Sequence, residues 1–382
     1  MGTICLVTIH GIGFQQPPLP DGTPGYADTL HEHLSQHLDA SLLSDDPQRQ
    51  RNQRGQAGPI YVASEWPPNS RQVEAGLSRL GTWTSRPDRV VDTTDAALTD
   101  GVGRIAHVAL VYSRLEDMAP QPGSTLEITV RALLSSGHYA SVASLAQLAL
   151  TDAWAALHQR ASSDNASAPS LQVRAARTGS APVADVLTTI RALEDDVAVY
   201  VTNNDLRARV RSFVREALLR LCSREDVDAV VVNSHSQGTV LGFDVLHDLP
   251  PFLMEKVKVF VTAGSPLRKY VDLFAWGTEV GCIANIDRWS NFWDPTDPVA
   301  DPLVPPAGWR RGAAPPPPPS DDPNSVLFQE VNADTGTITP ATVEDREVDN
   351  ITNSSGGGLQ AHNYWDNDPQ FVQPLADILR AL

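Results

Sequence analysis

The sequence of 382 residues contains few cysteines, no excess of positive charge and no long apolar segment. Its three cysteines, Cys5, Cys222 and Cys282, are too few and too widely spaced for a disulfide framework or a zinc site. No apolar run approaches the ~18 residues of a membrane-spanning helix, so no integral membrane segment is expected. The formal net charge of −17 argues against nucleic acid as a partner, because proteins that bind a phosphate backbone usually present a basic face.

Sequence motifs for cofactors, metals and export are also absent. There is no Walker A sequence and no dinucleotide fingerprint, so no cofactor is expected. The segment HEHLSQH, with His31, His33 and His37, invites a metal hypothesis, but it lacks the H-E-x-x-H spacing. A solvated helix face is the preferred interpretation, and no metal is predicted. No signal peptide is recognisable, so a cytoplasmic location is expected, with export as an effector without a signal peptide left open.

Apolar runs alternate with amphipathic segments along much of the chain. Strands are predicted at 4–10, 59–66, 104–115, 227–235, within 257–267 and within 283–299. Helices are predicted at 26–40, 139–160, 186–201, 205–222, 239–249 and 371–382. This alternation predicts an α/β fold with a mostly parallel central sheet flanked by helices. We treat residues 1–382 as a single domain, in which 68–200 is a probable, largely helical insertion or cap and 302–323 is a Pro-rich loop.

The segment VVNSHSQGTV, residues 231–240, joins a predicted strand to a predicted helix. In a nucleophile elbow the serine occupies a strained turn at this place, and crowding requires small residues two before and two after it. If Ser236 is the nucleophile, these residues are Ser234 and Gly238, whereas Ser234 as the nucleophile would have the bulky Val232. We therefore favour Ser236 over a serine-rich turn without chemistry. His235 is expected to be structural or to face the substrate.

A serine nucleophile needs a base within hydrogen-bond reach and a carboxylate that orients the base. Of the two histidines after Ser236, His247 would lie ~16 Å away along the intervening helix. This leaves His362, in the segment AHNYW, as the base. The segment FWDPTDPVADP follows a later strand and offers three candidate acids, which are, in order of preference, Asp297, Asp294 and Asp301.

Backbone N–H groups that stabilise an oxyanion complete such a site. One candidate is the N–H of Gln237, directly after the proposed nucleophile. A second donor is expected in the segment IHGIGF, residues 9–14, where glycines allow the backbone to curl after a buried strand. Ile12 is the preferred donor there and Gly13 the next, while His10 is expected to brace the loop.

Five segments, IHGIG, NSHSQGT, VTAGSPL, NFWDPTDPV and AHNYW, occur in an order that resembles α/β-hydrolase-fold serine esterases and lipases, in particular bacterial lipase-like members. The resemblance covers residues 1–20 and about 200–382 of the chain. It implies an α/β-hydrolase fold and a Ser-Asp-His triad that falls on Ser236, Asp297 and His362. Ser234 replaces the first glycine of the usual elbow, and the usual leading antiparallel hairpin is not evident.

The resemblance and the site residues together predict a cofactor-free serine hydrolase that cleaves carboxylic esters. Its substrate would be a lipid or a small acyl ester, and the reaction would pass through an acyl-enzyme intermediate. Two alternatives stay open. One is an acyltransferase or thioesterase with the same triad, and the other is a catalytically silent α/β-hydrolase scaffold used for binding. The sequence does not specify an oligomeric state.

Overall fold

The structure of the protein is a computed structural model that describes parts of the chain. These parts are residues 2–11, 18, 24–39, 41–48, 58–64, 76–81, 97–112, 200, 204–274, 283, 286–297, 299–304, 329–331, 338–340, 342–354 and 360–382. The helix predicted at 139–160 and the part of the Pro-rich loop beyond residue 304 lie outside them. The same holds for Ile12 and Gly13, the predicted oxyanion donors after the first strand.

Ten strands are present in the described ranges. They are β1 (Thr3–Ile9), β2 (Leu43–Ser44), β3 (Ile60–Ser64), β4 (Ile105–Tyr112), β5 (Val227–His235), β6 (Val257–Ala263), β7 (Arg288–Trp293), β8 (Gln329–Val331), β9 (Ile338–Pro340) and β10 (Val343–Glu347). Eight of them form one sheet in the order β10-β7-β6-β5-β1-β4, with β2 and β3 both paired to β4. Every pairing in this sheet is parallel, whereas β8 and β9 form a separate antiparallel pair.

Helices pack against both faces of the sheet. They are α1 (Asp28–His37), α2 (Asn204–Cys222), α3 (Gln237–Asp248), α4 (Pro251–Met254), α5 (Leu267–Phe274), α6 (Asn350–Asn353) and α7 (Gln373–Ala381). The side chains of β1 alternate between two cores. Val7 packs in the core that contains Val214 of α2, and Leu6 packs in the core that contains Leu34 of α1 and Leu375 of α7. The predicted α/β class, with a mostly parallel sheet flanked by helices, is confirmed.

The strand order places β1 at a reversal in the direction of the chain. From β1 the chain forms β2, β3 and β4 on one side, and then crosses to form β5, β6 and β7 on the other. In open α/β sheets, ligands bind beyond the carboxyl ends of the strands at such a reversal. The residues that follow β1 and β5 at this place are His10, Gly11 and Ser236.

One strand of the central sheet lies within the range predicted as an insertion. Residues Ile105–Tyr112 fall within the range 68–200 that was predicted as an insertion, but they form β4 beside β1. This part of the range therefore belongs to the central sheet.

Among the described helices, none combines the length and the apolar character needed to cross a membrane.

The interpretation of HEHLSQH as a solvated helix face is wrong for its first histidine. His31 is only 3% exposed. Its Nδ1 lies 3.2 Å from Nδ1 of His107 on β4, and its Nε2 lies 3.1 Å from Oδ1 of Asp45. No local pattern indicates this burial, because the partners of His31 come from two other segments. No group of three or more potential metal ligands occurs among the described residues.

Candidate active site

Ser236 connects the end of β5 to the start of α3 in a strained backbone conformation. Its φ of 52° and ψ of −130° make it the one non-glycine residue with positive φ in the described part of the chain. The Ser236 N–H donates to the carbonyl of Ala263 at 2.9 Å. Both the N–H and the hydroxyl of Thr239 donate to the Ser236 carbonyl, at 2.9 and 2.7 Å. Strained residues that are held in this way by their surroundings occur preferentially at active sites.

The glycines around Ser236 are required by close backbone contacts. A Cβ at Gly238 would lie 2.4 Å from the carbonyl oxygen of His10, so α3 starts directly against the end of β1. A Cβ at Gly11 would lie 2.3 Å from Cβ and 3.0 Å from Oγ of Ser236. The chain after β1 therefore passes directly beside the hydroxyl that was predicted to be the nucleophile.

Ser234, which stands where an elbow usually has glycine, is accommodated by a glycine in the following helix. Its side chain is fully buried, and its Oγ would lie 2.7 Å from a Cβ at Gly242 of α3. Because position 242 has no side chain, the hydroxyl of Ser234 fits under the helix. Serine is therefore small enough for position 234, on the condition that position 242 carries no side chain.

His362 and Asp297 form a buried hydrogen-bonded pair. Nδ1 of His362 lies 2.7 Å from Oδ2 of Asp297, and both residues are 4% exposed. Since a carboxylate accepts, Nδ1 carries the proton, and in the neutral imidazole Nε2 then has the free lone pair. Neither this Nε2 nor the Oγ of Ser236 has a hydrogen-bond partner among the described residues, although both atoms are buried.

The end of β6 brings His362 and Ser236 to the same edge of the sheet. Ala263 holds the N–H of Ser236, and a Cβ at the next residue, Gly264, would lie 2.7 Å from Cε1 of His362. Gly264 has a φ of 62°, in the left-handed region that favours glycine. Ala263, the last residue of β6, therefore contacts the candidate nucleophile, and Gly264, in the turn after it, contacts the candidate base.

His235 attaches the segment of His362 to the elbow. Its Nε2 lies 2.9 Å from the carbonyl oxygen of His362, and because a carbonyl only accepts, Nε2 carries the proton. Burial, and after it the neighbouring His362, lowers the pKa of His235 well below its ordinary value. The ring thus stays neutral near pH 7 and keeps its second nitrogen unprotonated. This contact gives His235 a structural role.

The alternative acids bind other partners. Oδ1 of Asp294 accepts from the N–H and the hydroxyl of Thr296, at 2.7 and 2.6 Å, and its Oδ2 accepts from the N–H of Asn350 at 2.8 Å. Burial raises the pKa of Asp294, and these hydrogen bonds oppose the rise. Asp301 accepts from Nζ of Lys269 at 2.8 Å. Of the three predicted candidates, Asp297 is the one that the structure brings to His362.

The oxyanion side of the site is described in part. Gln237 is the first residue of α3, where backbone N–H groups have no carbonyl partner within the helix. Its side-chain Oε1 accepts from the hydroxyl of Tyr270 at 2.6 Å, which fixes the residue beside Ser236. Ile12 lies outside the described residues, but its neighbour Gly11 contacts Ser236. The approach of Gly11 to Ser236 is thus described, and a second donor at Ile12 stays a prediction.

His10 is held at the end of β1 by hydrogen bonds and stacking. Its Nε2 accepts from the N–H of Tyr112 at 3.1 Å, so Nδ1 carries the proton and donates to the carbonyl of Gly11 at 2.6 Å. The imidazole also stacks on the ring of Tyr112, with centroids 4.1 Å apart. Burial lowers the pKa of His10 to about 4, so it is neutral near pH 7. These contacts brace the backbone that leads to the predicted oxyanion loop.

Neither protein-family models, nor curated proteins, nor solved structures match this chain. A proposal about its chemistry therefore rests on features of the chain itself. These features are a serine in a strained turn between a strand and a helix, a buried His-Asp pair, and the N-terminus of α3 beside the serine.

Two residues of the site had no role in the sequence-based prediction, although both lie in segments that carry the resemblance. Gly264 contacts the ring of His362, and the hydroxyl of Tyr364 donates to Oδ2 of Asp297 at 2.9 Å. The AGSP turn could have indicated a left-handed glycine, because it directly follows a buried strand. No local pattern indicates the bond of Tyr364, because its acceptor is 67 residues away in the sequence.

Proposed function

We propose that this chain is a cofactor-free serine hydrolase of the α/β-hydrolase type that cleaves carboxylic esters. The supporting observation is the 2.7 Å hydrogen bond from His362 Nδ1 to Asp297, which leaves Nε2 of His362 as a base at the strand ends where Ser236 is strained. The arrangement along the chain also fits this type. The serine follows β5, the acid follows β7, and the histidine precedes the last helix.

In the proposed acylation step, Nε2 of His362 takes the proton of the Ser236 hydroxyl while Oγ attacks the ester carbonyl carbon. Asp297 holds the imidazole in the tautomer with the proton on Nδ1 and stabilises the imidazolium that forms. The N–H of Gln237 and a donor from the segment after Gly11, predicted to be Ile12, would bind the oxyanion. The collapse of the tetrahedral intermediate expels the alcohol, which takes the proton from His362.

In the proposed deacylation step, the same groups act on a water molecule. His362 removes a proton from the water as the water oxygen attacks the acyl carbon. The acid product then leaves, and the Ser236 hydroxyl regains its proton from His362. An acyltransferase or thioesterase would differ only in the group that donates or accepts the acyl chain, so the arrangement of the triad does not separate these reactions.

The proposal is tested with a fluorophosphonate probe, which reacts with activated serines. The wild-type chain is expected to be labelled and Ser236→Ala is expected not to be, because the probe bonds to Oγ of Ser236. The matched control is Ser234→Gly, which removes the other serine hydroxyl of the elbow and should leave labelling intact. Absence of labelling in a folded wild-type chain would support the silent scaffold and contradict the proposal.

The acyl group and the acceptor are identified with a second set of reactions. p-Nitrophenyl esters of short and long chains compare a small-ester esterase with a lipase. Acyl thioesters, with and without an added alcohol, compare hydrolysis with acyl transfer. We expect hydrolysis of the oxygen esters to exceed both thioester cleavage and transfer. In the fluorophosphonate test, labelling that survives in Ser236→Ala would mean that another residue is the nucleophile.

A further inference from the structure

The triad acid is buried without a lysine or arginine partner among the described residues. The Asp297 carboxylate accepts three hydrogen bonds there. Val299 N–H donates to Oδ1 at 2.9 Å, while His362 Nδ1 at 2.7 Å and the Tyr364 hydroxyl at 2.9 Å both bind Oδ2. A buried carboxylate depends on such donors to stay ionised. The oxygen that orients His362 is therefore shared with one other side chain, Tyr364.

The direction of the hydrogen bond from Tyr364 is determined by its other partner. The backbone N–H of Asp294 lies 2.9 Å from the Tyr364 oxygen, and an N–H can only donate. The single proton of the Tyr364 hydroxyl is therefore available for Oδ2 of Asp297. Burial, and after it the charge of Asp297, raises the pKa of Tyr364 well above its ordinary value, so the hydroxyl keeps this proton.

The ring of Tyr364 cannot easily move away from this position. The residue is fully buried, and its ring packs edge-on against Phe371 with centroids 6.4 Å apart. A Cβ at Gly264 would lie 2.9 Å from Cε2 of Tyr364, so the turn after β6 confines the other side. Because its neighbours hold the Tyr364 ring in place, little conformational entropy is lost when the hydroxyl binds Asp297.

We propose that Tyr364 is a positioning residue whose hydroxyl fixes Asp297 and sets how strongly that carboxylate favours the protonated form of His362. This inference rests on the proposed function. By taking part of the charge of Oδ2, the Tyr364 O–H weakens the pull of Asp297 on the proton of the imidazole. Without the hydroxyl, Oδ2 would be more basic, the imidazolium would be favoured, and Nε2 of His362 would become available as a base only at higher pH.

Several titratable groups face His362 from the elements packed around it. Asp297 comes from the loop after β7, Tyr364 comes from its own segment, and His235 comes from the end of β5, with its ring 4.6 Å from that of His362. Asp294 lies next to this group, because its N–H donates to the Tyr364 oxygen at 2.9 Å. Burial lowers the pKa of His235 well below its ordinary value, so its ring stays neutral near pH 7. The hydrogen bond from Tyr364 to Asp297 is therefore the contact that the test removes.

The test compares Tyr364→Phe with wild type in the rate of fluorophosphonate labelling as a function of pH. The ring is kept and only the donor is lost. We expect the optimal rate to fall roughly 10- to 100-fold, as for the loss of a hydrogen bond to a charged group. We also expect the acid limb of the profile to move to higher pH by about half a unit or more. A purely structural role would lower the rate without moving the limb.

The matched control is Tyr200→Phe. Tyr200 is equally buried, and its hydroxyl donates to Oδ2 of Asp244 at 2.7 Å, so the variant removes the same kind of bond. Asp244 lies eight residues after Ser236, about 12 Å along α3. The rate and the acid limb of this variant should match those of the wild type. An equal shift of the limb in both variants would overturn the proposal.

A second substitution gives an effect of opposite sign and keeps the native contacts. Replacement of Tyr364 by a ring-fluorinated tyrosine makes the hydroxyl a stronger donor at almost the same size. The acid limb should then move to lower pH, and this measurement remains possible if Tyr364→Phe does not fold. An unchanged or raised limb in the fluorinated protein would overturn the proposal.

The role of Tyr364 can be separated from the proposed function by NMR. If the wild type is not labelled, the proposed function fails, but the titration of the His362 Cε1–H can still be followed in wild type and Tyr364→Phe. A midpoint that rises in Tyr364→Phe supports the positioning role by itself. An unchanged midpoint overturns that role whether or not the chain is a hydrolase.

Discussion

Gly264→Ala is a single-atom test of how the candidate base is held. Gly264 follows β6 with a φ of 62°, and the added Cβ would lie 2.7 Å from Cε1 and 2.9 Å from Nδ1 of His362. Nδ1 is the atom that bonds to Asp297 at 2.7 Å. The substitution therefore strains the backbone and pushes on the imidazole at the same time, and these two effects have different consequences.

The magnitudes of the two effects follow from the geometry. The left-handed conformation costs an L-residue roughly 1–2 kcal/mol, which lowers the free energy of unfolding by about that amount. Carbon contacts are optimal at about 3.5–4.0 Å, so the ring of His362 must retreat by about 1 Å. A misplacement of about 1 Å costs on the order of 10²-fold in rate, because the base no longer points at the hydroxyl.

Gly101→Ala is the matched control for the backbone strain. Gly101 has a φ of 82°, and a Cβ there would meet nothing within 4 Å. Both variants should lose a similar free energy of unfolding, measured by urea titration. The rate of fluorophosphonate labelling should fall by about 10²-fold in Gly264→Ala and remain close to wild type in Gly101→Ala. If Gly264→Ala is as active as Gly101→Ala, the contact with His362 does not position the base.

Three further predictions concern the candidate acid, the buried His10 and the candidate nucleophile. Asp297→Asn should lower the rate of ester hydrolysis about 10³- to 10⁴-fold by favouring the wrong tautomer of the base. Asp294→Asn should stay within about tenfold of wild type, because Asp294 binds Thr296 and Asn350 and not His362, even though its amide can keep only one of these two acceptor roles. His10 has a pKa of about 4 in the folded chain. Unfolded histidine, near 6.5, binds a proton first as the pH falls, so stability is lost from about pH 6.5 to 4. His10→Gln should reduce the loss between pH 7 and 4.5 by about 2 kcal/mol in urea titrations, and an unchanged loss would contradict the burial argument. Ser236→Gly should abolish labelling and raise the free energy of unfolding by about 1 kcal/mol, because glycine relieves the strain; a lowered value would mean that the conformation is not strained.

The central strands could be predicted from the sequence because burial on both faces leaves an unbroken apolar run. The predicted range 227–235 is the observed range of β5. By contrast, β10 was not predicted. Its sequence, VEDRE, contains charged side chains because this edge strand pairs on one side with β7 and is partly exposed. β2 has only two residues, which is too short for a periodicity to appear.

The choice among the three candidate acids could not be made from their local sequence. Asp294, Asp297 and Asp301 are each followed by proline, and all three lie in one loop. Their partners come from distant segments, namely Asn350, His362 and Lys269 respectively. Only the folded backbone brings these partners to the loop, so the local sequence offers no physical ground for preferring Asp297 over the other two.

The candidate nucleophile Ser236 is constrained by residues near it in the sequence, whereas the candidate base His362 is not. This difference bears on the choice between the proposed hydrolase and a silent scaffold. The size condition on Ser236 acts within five residues and is visible in the sequence, while the position of His362 depends on Gly264, His235 and Tyr364 from three separate segments. A scaffold that only binds gains nothing from a serine held at a φ of 52°, since glycine would remove the strain. It also gains nothing from a histidine whose second nitrogen is left without a partner among the described residues. Both features reduce stability, and both are what a hydroxyl nucleophile and its base require. These two features support the proposed hydrolase, and the fluorophosphonate probe tests it against the scaffold.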